Sequence, residues 1–338
     1  MGNGKDSMTL AHGSGGRLSH ELIEGIFRKR FANPILAQGD DAAEFGIQNS
    51  EFRMAYTTDS YVIKPLFFPG GDIGKLAVCG TVNDLAMKGA VPLHLSAGFI
   101  IEEGFALDRL ERIVDSMAAA AREAEVDIVT GDTKVVEKGG CDGLFVNTSG
   151  IGLIPPGVAV SGANARPGDA VIVSGTIGDH SVAVMNARHG FGLSGDLASD
   201  VAPLAGLVAA MLAVGGIRAL RDPTRGGLAT ALNEIALQSG VRIGIEEQAV
   251  PVRPQVRGAC EMLGLDPLYA ANEGKLVAVV EAGRAEPVLR AMRRHSYGRD
   301  AALIGKIEAG PPGVALLTPL GTRRPLLMLE GEALPRIC

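Results

Sequence analysis

The chain has 338 residues, of which 46% are hydrophobic and 21% are charged, so it is long enough for two domains with buried cores. Its formal net charge is −6 and it has no tryptophan, which argues against a nucleic-acid-binding protein, because such proteins need basic surfaces and aromatic stacking platforms. It has no apolar run of the roughly 18 residues that a membrane helix needs and no apolar signal-peptide core at its start, so we expect a cytoplasmic protein that binds no membrane.

The first half of the chain predicts alternating helices and strands. Apolar residues at helical spacing predict an amphipathic helix over residues 18–31, and a strand follows over residues 52–63. A second helix is predicted to begin after Asp72, a plausible N-cap, and to end at Gly89. The remaining elements of this half are a strand over 92–101, a helix over 107–124, and strands over 127–136 and 143–154.

A turn-rich stretch over residues 155–168 predicts a domain boundary, because it contains the segments "IPPG" and "ARPGD". The second half predicts strands over 169–175, 241–247, 275–283, 301–310 and 314–319, and helices over 181–188, 202–214, 228–239, 255–263 and 286–295. We therefore predict an α/β fold of mixed α+β content with two domains, over residues 1–155 and 165–320. Residues 321–338 are expected to form a mobile tail.

Two glycine-rich segments each precede a predicted helix. The first is "HGSGG", with His12, Gly13 and Gly15, and the second is "RDPTRGG", with Arg225 and Gly226. Small residues at a helix N-terminus let backbone N–H groups approach a phosphate, and an arginine adds a bidentate donor. Each segment could equally be a plain turn, and neither matches the P-loop or the dinucleotide-binding motif.

Several aspartates lie at predicted turns and strand ends: Asp40, Asp41, Asp59, Asp84, Asp132 and Asp222. Each could be a solvated turn residue or a helix cap. Asp84 is harder to explain in that way, because it lies in an apolar helical stretch, where an unpaired carboxylate is unfavourable. Mg²⁺ binds carboxylate and phosphate oxygens, so these aspartates could hold Mg²⁺ against a nucleoside triphosphate.

Two further charged residues are candidates for acid–base chemistry. Lys134 follows a Gly-Asp turn in "TGDTKVV", and Glu273 immediately precedes a predicted strand. A lysine there can bind a phosphate or act as a base, and the glutamate can act as a base or a metal ligand. For each residue taken alone, a solvated surface position remains the simpler interpretation.

The chain ends in Cys338, whereas the other cysteines, at 79, 141 and 260, are isolated and form no CxxC pair. An exposed terminal thiol is prone to oxidation and crosslinking, so its presence needs a reason. The residue is either an accident of a frayed end or a thiol that has to be mobile.

Taken together, the motifs resemble those of the PurM-type ATP-binding superfamily, and within it the HypE family of hydrogenase maturation proteins. The superfamily-like motifs are "HGSGG", "GDDAA", "TTDS", "NDLAMKGA", "TGDTKV" and "DPTRGG", which span most of the chain, and the family-like motif is the terminal "PRIC". Selenophosphate synthetases of the same superfamily carry a cysteine or selenocysteine near the N-terminus, and the stretch over residues 12–17 has none.

The resemblance implies an ATP-dependent dehydratase that converts a carbamoyl group on its own Cys338 to a thiocyanate. It implies Mg²⁺–ATP ligands at Asp41, Asp59, Asp84 and Asp222, and places Lys134 and Glu273 near the reacting tail. It also implies a HypF-like carbamoyltransferase and a HypC–HypD complex as partners, and a homodimer with ATP near the subunit interface.

Two other functions remain as alternatives. The chain could be a small-molecule kinase or synthetase of the superfamily, in which the terminal cysteine has no role. It could also be a carrier that holds a modified cysteine without catalysing its conversion; the many aspartates at glycine-rich turns favour an enzyme over this carrier.

Overall fold

The structure is a computed structural model that describes residues 8–193, 196–330 and 337–338. In the first half, the helices are α1 (Arg17–Leu22), which continues through a π-helical segment (Ile23–Arg28) into α2 (Lys29–Phe31), then α3 (Ile73–Met87) and α4 (Leu107–Glu123). The strands are β1 (Ala43–Gly46), β2 (Arg53–Tyr61), β3 (Phe67–Phe68), β4 (Gly71–Asp72), β5 (Val91–Glu102), β6 (Asp127–Val136) and β7 (Leu144–Ile154).

Five of these strands form one sheet in the order β1-β2-β7-β5-β6, in which only β5 and β6 are parallel neighbours. Helix α3 lies on this sheet against β2, β5 and β7, and α4 packs beside it. Asp72 caps α3, as the sequence predicts, because its carboxylate accepts from the N–H groups of Gly74 and Lys75. Strand β6 forms the open edge of the sheet, and its side chains are almost all exposed.

The second half contains helices α5 (Asp179–His189), α6 (Ala205–Val214), α7 (Gly227–Ser239), α8 (Pro254–Leu263) and α9 (Ala285–Arg294). Its strands are β8 (Ala170–Val173), β9 (Ile217–Arg221), β10 (Arg242–Glu246), β11 (Val277–Val280), β12 (Ala302–Glu308), β13 (Gly313–Leu317) and β14 (Arg323–Leu326). These strands form a seven-stranded sheet in the order β14-β13-β10-β12-β8-β11-β9.

The central strands of the second sheet are buried on both faces. Val171 and Val173 of β8 join one apolar cluster, which includes α7, whereas Ile172 joins another, which includes α6 and α9. Successive side chains of a strand point to opposite faces, so a run of apolar residues such as Ala170–Val173 is what a strand between two layers requires. Helix α3 also contacts α6 and β9, so it lies where the two halves of the chain meet.

The mixed α/β fold is confirmed, and the structure corrects the predicted tail. The sequence predicts a tail from residue 321, but Arg323–Leu326 pairs antiparallel with β13 as the edge strand β14. Leu326 is buried in the core on the α7 face of the sheet, which provides the physical reason for this pairing. Strands β1 and β9 and the short strands β3 and β4 were not predicted either. Among the described residues, no helix is both long and apolar enough to cross a membrane.

Candidate active site

An open pocket of about 460 Å³ lies between the two halves of the chain. Its walls come from the segment before α1, from β2, from α3, and from the turn between β9 and α7. The pocket brings together eight residues that the sequence singles out: His12, Gly13, Gly15, Asp41, Asp59, Asp84, Asp222 and Arg225. Gly226 lies beside them and lines a small adjoining cavity with Arg225.

The two glycine-rich segments interlock at one end of this pocket. Gly15 has a φ of +75°, and a Cβ there would lie 2.8 Å from the Cβ of Arg225. Arg225 in turn donates from Nη1 to the carbonyl oxygen of Gly13 over 3.1 Å. The segment before α1 therefore fits against Arg225 only because residue 15 has no side chain.

The turn before α7 brings the N-terminus of that helix to the pocket. Gly226 has a φ of +80°, and a Cβ there would lie 2.2 Å from Oγ1 of Thr230. At Gly227, whose φ is +61°, a Cβ would lie 2.7 Å from the carbonyl oxygens of Leu268 and Ala270. The paired glycines allow this close packing at the start of α7. The N–H of Gly227 bonds to the carbonyl oxygen of Thr224, and the next N–H groups of the first turn are the ones that can bind an anion.

Asp84 and Asp222 are carboxylates without a cationic side chain as ion-pair partner among the described residues. Thr57 donates to Oδ2 of Asp84 over 2.7 Å. Burial, followed by the nearby charges of Asp222 and Asp59, raises the pKa of Asp84 well above its ordinary value. Burial and the charge of Asp41 do the same to the pKa of Asp222. The pocket thus carries an excess of negative charge.

Asp41 differs from the other aspartates because it forms an ion pair with Arg221, which is almost fully buried. Arg221 also binds Oε2 of Glu234 over 3.1 Å, and His20 contacts Oε1 of the same glutamate over 3.0 Å. Burial still raises the pKa of Asp41 to about 6, although Arg221 opposes the shift. Asp41 therefore stabilises the pocket wall through its ion pair with Arg221, and it is less available as a metal ligand than the other aspartates.

The sequence prediction missed four residues that support these side chains, namely Thr57, Arg221, Glu234 and Lys88. The partner of Lys88 is Asp40, which the sequence singles out without assigning it a role. Lys88 is 3% exposed and binds Oδ2 of Asp40 over 2.6 Å. Three of the four missed residues lie inside or next to the motifs "TTDS", "NDLAMKGA" and "DPTRGG". Each of these three is a charged or hydroxyl residue within four positions of an aspartate that the sequence singles out, and this proximity could have identified them.

The donor chemistry of the pocket fits Mg²⁺. Mg²⁺ is usually bound by one or two carboxylates together with substrate phosphates and waters, rather than by a complete protein cage. In the part of the chain that the structure describes, no three His, Cys, Asp or Glu side chains converge closely enough to form such a cage. Clustered carboxylates that raise one another's pKa would be relieved by a divalent cation that they share with a nucleotide.

The end of the chain is docked beside this pocket. Ile337 is 3% exposed and belongs to the apolar core of the first half, and Val62 donates its N–H to a backbone carboxylate oxygen of Cys338 over 3.3 Å. Cys338 itself is half-buried. Burial raises the pKa of its thiol to about 12, while Arg225 opposes the shift. Residues 335 and 336 of the predicted terminal motif lie outside the described residues.

Glu273 lies close to the docked cysteine. It is 4% exposed, and its Oε1 has no hydrogen-bond partner among the described residues. Burial, then the charges of Asp222 and Asp200, raises its pKa well above the ordinary value, and the charge of Glu273 also raises the pKa of the Cys338 thiol. A buried carboxyl group with a free oxygen and a raised pKa is suited to proton transfer.

Lys134 and Asp132 are the predicted site residues that the single chain does not bring to the pocket. Both lie on the edge strand β6, are 67% and 69% exposed, and contact each other over 2.5 Å. The pair of side chains is separated from the pocket because β6 is at the far edge of the sheet from β2. Within one chain they therefore form a solvated surface ion pair.

Comparison with known proteins gives consistent results. Two family models match, the N-terminal domain of AIR synthase related proteins over residues 39–154 and the C-terminal domain over residues 166–317. The carbamoyl dehydratase HypE of Azotobacter vinelandii is 57% identical over 334 residues, which cover 98% of this chain and 97% of the relative.

Solved structures match over nearly the whole length. A crystal structure of the hydrogenase maturation protein HypE in complex with ATP has a TM-score of 0.83 and 51% identity, and the match covers 98% of this chain and all of the other. A chain of a crystallised HypE–HypF complex has a TM-score of 0.86 and 52% identity, over 92% of this chain and 99% of the other.

Proposed function

The chain belongs to the HypE family of hydrogenase maturation proteins, in which it is an ATP-dependent carbamoyl dehydratase, and we propose that the carbamoyl group it dehydrates is carried on its own Cys338. One observation carries this proposal. The last two residues are docked beside the pocket, close enough that the charges of Arg225 and Glu273 both shift the pKa of the terminal thiol. The substrate is thus part of the protein.

The glycine-rich turns and Arg225 bind the phosphates of ATP at one end of the pocket. The N–H groups at the start of α7 and the guanidinium of Arg225 supply donors and positive charge where the triphosphate is negative. Asp84, Asp222 and Asp59 are the carboxylates that would hold Mg²⁺ there, and that ion would neutralise phosphate charge as the γ-phosphoryl group moves.

The reaction converts S–C(=O)–NH₂ to S–C≡N. The carbonyl oxygen of the thiocarbamate attacks the γ-phosphorus and displaces ADP, which turns a poor leaving group into phosphate. The carbon–oxygen bond then breaks, phosphate leaves, and the two protons of the amide nitrogen are lost in the course of the sequence. Ile337 is buried in the site that holds the end of the chain, here called the dock, which includes Phe68, His180, Val184 and Val201. This burial keeps water from the activated group.

Glu273 is the base that the geometry of one chain favours. Its unpaired Oε1 is free to accept a proton, and its raised pKa makes the carboxylate a stronger base once it is ionised. Lys134 is a second candidate for this role, and it would act only if β6 of another copy came near the pocket.

A homodimer would supply that second copy. Strand β6 is an open sheet edge with exposed apolar side chains, among them Val129 and Val135, which are 58% and 67% exposed. An open apolar edge favours pairing with another strand, here with a second copy of the chain. In such a dimer, Lys134 and Asp132 would lie at the subunit interface, where they could reach a bound nucleotide.

We assign loading and delivery to partners. In the docked state the thiol pKa is about 12, so the thiolate, which is the nucleophile, is scarce at neutral pH. Cys338 must therefore leave the dock to be carbamoylated, and a HypF-like carbamoyltransferase is the partner for that step. The cyano group would then pass to a HypC–HypD complex for the iron centre of the hydrogenase, and all of these steps would occur in the cytoplasm.

Intact mass spectrometry tests the proposal. The protein is incubated with carbamoyl phosphate, ATP and a HypF-like carbamoyltransferase. The C-terminal peptide should gain one carbamoyl group and then lose one water, and the Cys338→Ala variant should do neither. A C-terminal peptide of unchanged mass would contradict the proposal.

The same assay separates the alternatives. A carrier without catalysis would still transfer its group when Asp222 is changed to Asn, whereas the dehydratase should stop at the carbamoylated stage. A kinase or synthetase of a free metabolite would keep its full activity in the Cys338→Ala variant.

A further inference from the structure

His180 has no role in the chemistry above, yet it contacts the end of the chain. It lies in the first turn of α5 and its side chain is fully buried. Its Nε2 lies 2.7 Å from the carbonyl oxygen of Ile337, and its Nδ1 lies 2.7 Å from Oγ of Ser199. The ring of Phe68 meets the imidazole edge-on, with centroids 5.5 Å apart.

The partners of His180 define its tautomer. A carbonyl oxygen can only accept, so Nε2 carries the proton and donates to Ile337. The Ser199 hydroxyl accepts from the N–H of Val201 over 3.1 Å and can donate to Nδ1. Burial lowers the pKa of His180, although the charge of Asp200 opposes this shift, and the ring is therefore neutral near pH 7.

The side chain of Ile337 is held in the same place. It belongs to the apolar core cluster that also contains Phe68, Val184 and Val201, and it is 3% exposed. The dock thus binds the penultimate residue twice, through its backbone carbonyl and through its side chain. Both contacts precede Cys338 by one residue, so they determine where the thiol lies.

We propose that His180, oriented by Ser199, is a positioning residue that binds the carbonyl oxygen of Ile337 and sets the fraction of molecules in which Cys338 is docked. The inference about docking stands on the contacts alone, and its catalytic consequence rests on the proposed function. A tail that carries substrate between a partner and a pocket has to be released in every cycle. A single neutral hydrogen bond shifts such an equilibrium by roughly two- to tenfold, which favours docking without preventing release.

Thiol alkylation by a neutral maleimide measures the docked fraction directly. The measurement uses the Cys141→Ser background, because Cys141 is the other cysteine that is not fully buried. His180→Leu should raise the alkylation rate of Cys338 about tenfold, because the carbonyl of Ile337 loses its donor. His180→Gln, which retains an N–H donor, should restore part of the protection, and Ser199→Ala should give a smaller increase.

Two controls separate positioning from general destabilisation. His189→Leu changes an exposed histidine on the same helix and should leave the Cys338 rate unchanged. The buried Cys79 and Cys260 should stay unreactive in every variant. An unchanged Cys338 rate in His180→Leu and Ser199→Ala would overturn the proposal. Equal acceleration at Cys79 and Cys260 would also overturn it, because it would give His180 a purely structural role.

A kinetic experiment tests the catalytic consequence, and it uses protein that is already carbamoylated on Cys338. His180→Leu should lower the rate of dehydration several-fold at saturating ATP and leave the KM for ATP unchanged, because His180 does not line the nucleotide pocket. An equal rise in the KM for ATP would contradict a positioning role. If the wild-type protein itself formed no thiocyanate, the proposed function would fail, while the alkylation result would still test the dock.

Discussion

The Thr57 hydroxyl donates to Oδ2 of Asp84 over 2.7 Å, and this hydrogen bond orients the carboxylate in the candidate active-site pocket. Asp84 lies on α3, whose neighbours in sequence are almost all buried apolar residues. The nearby charges of Asp222 and Asp59 oppose its ionisation rather than assist it. The protein thus holds a carboxylate whose ionisation is unfavourable, which is typical of a residue that binds a ligand and not of one that stabilises the fold.

Changing Asp84 to Asn should therefore separate stability from function. The amide keeps the shape and can still bond with Thr57, but it removes one of several repelling charges, so the melting temperature without nucleotide should rise by a few degrees. The same change should abolish the rise in melting temperature that Mg²⁺–ATP gives the wild-type protein. Differential scanning calorimetry with and without Mg²⁺–ATP measures both effects.

Asp115→Asn is the matched control for this change, because Asp115 is an exposed aspartate on α4. It should alter neither value. A lower melting temperature of the Asp84→Asn variant without nucleotide would contradict the view that this carboxylate is held against its own electrostatic preference.

The pH dependence of stability should follow from the same carboxyl groups. Burial raises the pKa of Asp84, Asp222 and Glu273 well above their ordinary values, and that of Asp41 to about 6. The folded protein then binds more protons than the unfolded chain above about pH 4, so its free energy of unfolding should fall as the pH rises through this window. Acidic groups with lowered pKa values, such as Asp200, titrate below this window. The lowered pKa of His180 acts in the opposite direction below its ordinary value of about 6.5, but it is a single group set against four carboxyl groups.

We expect the nucleotide-free protein to melt at a higher temperature at about pH 5.5 than at about pH 8, by calorimetry in matched ionic strength. The Asp84→Asn variant should show a weaker dependence, since one of the contributing groups no longer titrates. A melting temperature that rises steadily from pH 5.5 to pH 8 would show that these carboxyl groups are ionised without penalty.

Two glycines of the motif "HGSGG" should respond differently to substitution, although they are only two positions apart: Gly13 and Gly15. A Cβ at Gly15 would lie 2.8 Å from the Cβ of Arg225 and 2.9 Å from its carbonyl oxygen, at a φ of +75°. Gly15→Ala should therefore displace Arg225 and weaken ATP binding about tenfold or more, because both the clash and the positive φ are unfavourable. At Gly13, no atom of the described part of the chain lies within 4 Å of an added Cβ.

Gly13→Ala is thus the control, and its dissociation constant for ATP should stay within about twofold of the wild-type value, by isothermal titration calorimetry. Similar losses in both variants would mean that flexibility of the whole segment, rather than the close approach at Gly15, supports nucleotide binding.

The sequence predicted most of the pocket because its residues occur in short motifs. Asp59, Asp84 and Asp222 each carry a recognisable context, and their convergence follows from the fold. The sequence could not reveal the contact between His180 and Ile337, because these residues are 157 positions apart and meet only after both halves have folded. The edge strand β14 was missed for a similar reason, since Arg323–Leu326 has a single buried apolar residue.

The placement of Lys134 shows a second limit. Its motif predicts a residue of the active site, yet β6 carries it to an exposed sheet edge of the single chain. A motif indicates that a residue has a role, but it does not indicate whether that role is fulfilled within one subunit or between two. The open sheet edge and its exposed Val129 and Val135 are the features that indicate a role between two subunits.

Introducing a charged side chain on strand β6 should therefore dissociate the proposed dimer and also lower the rate of dehydration. Val135 is 67% exposed on β6, next to Lys134. Val135→Glu should shift the protein from a dimer to a monomer by light scattering after size exclusion, because a buried unpaired carboxylate is unfavourable at an interface. Dehydration of carbamoylated Cys338 should fall by at least about tenfold if Lys134 acts across that interface, whereas the loss would be small if it does not.

Leu320→Asp provides the matched control, since Leu320 is 91% exposed in the turn before β14, on the other sheet. It should change neither the mass in solution nor the rate. A wild-type protein that is monomeric at micromolar concentration, or a monomeric Val135→Glu variant with full activity, would show that the pocket works within a single chain. In that case Glu273 would be left as the base, because it is the candidate that the chain itself places beside Cys338.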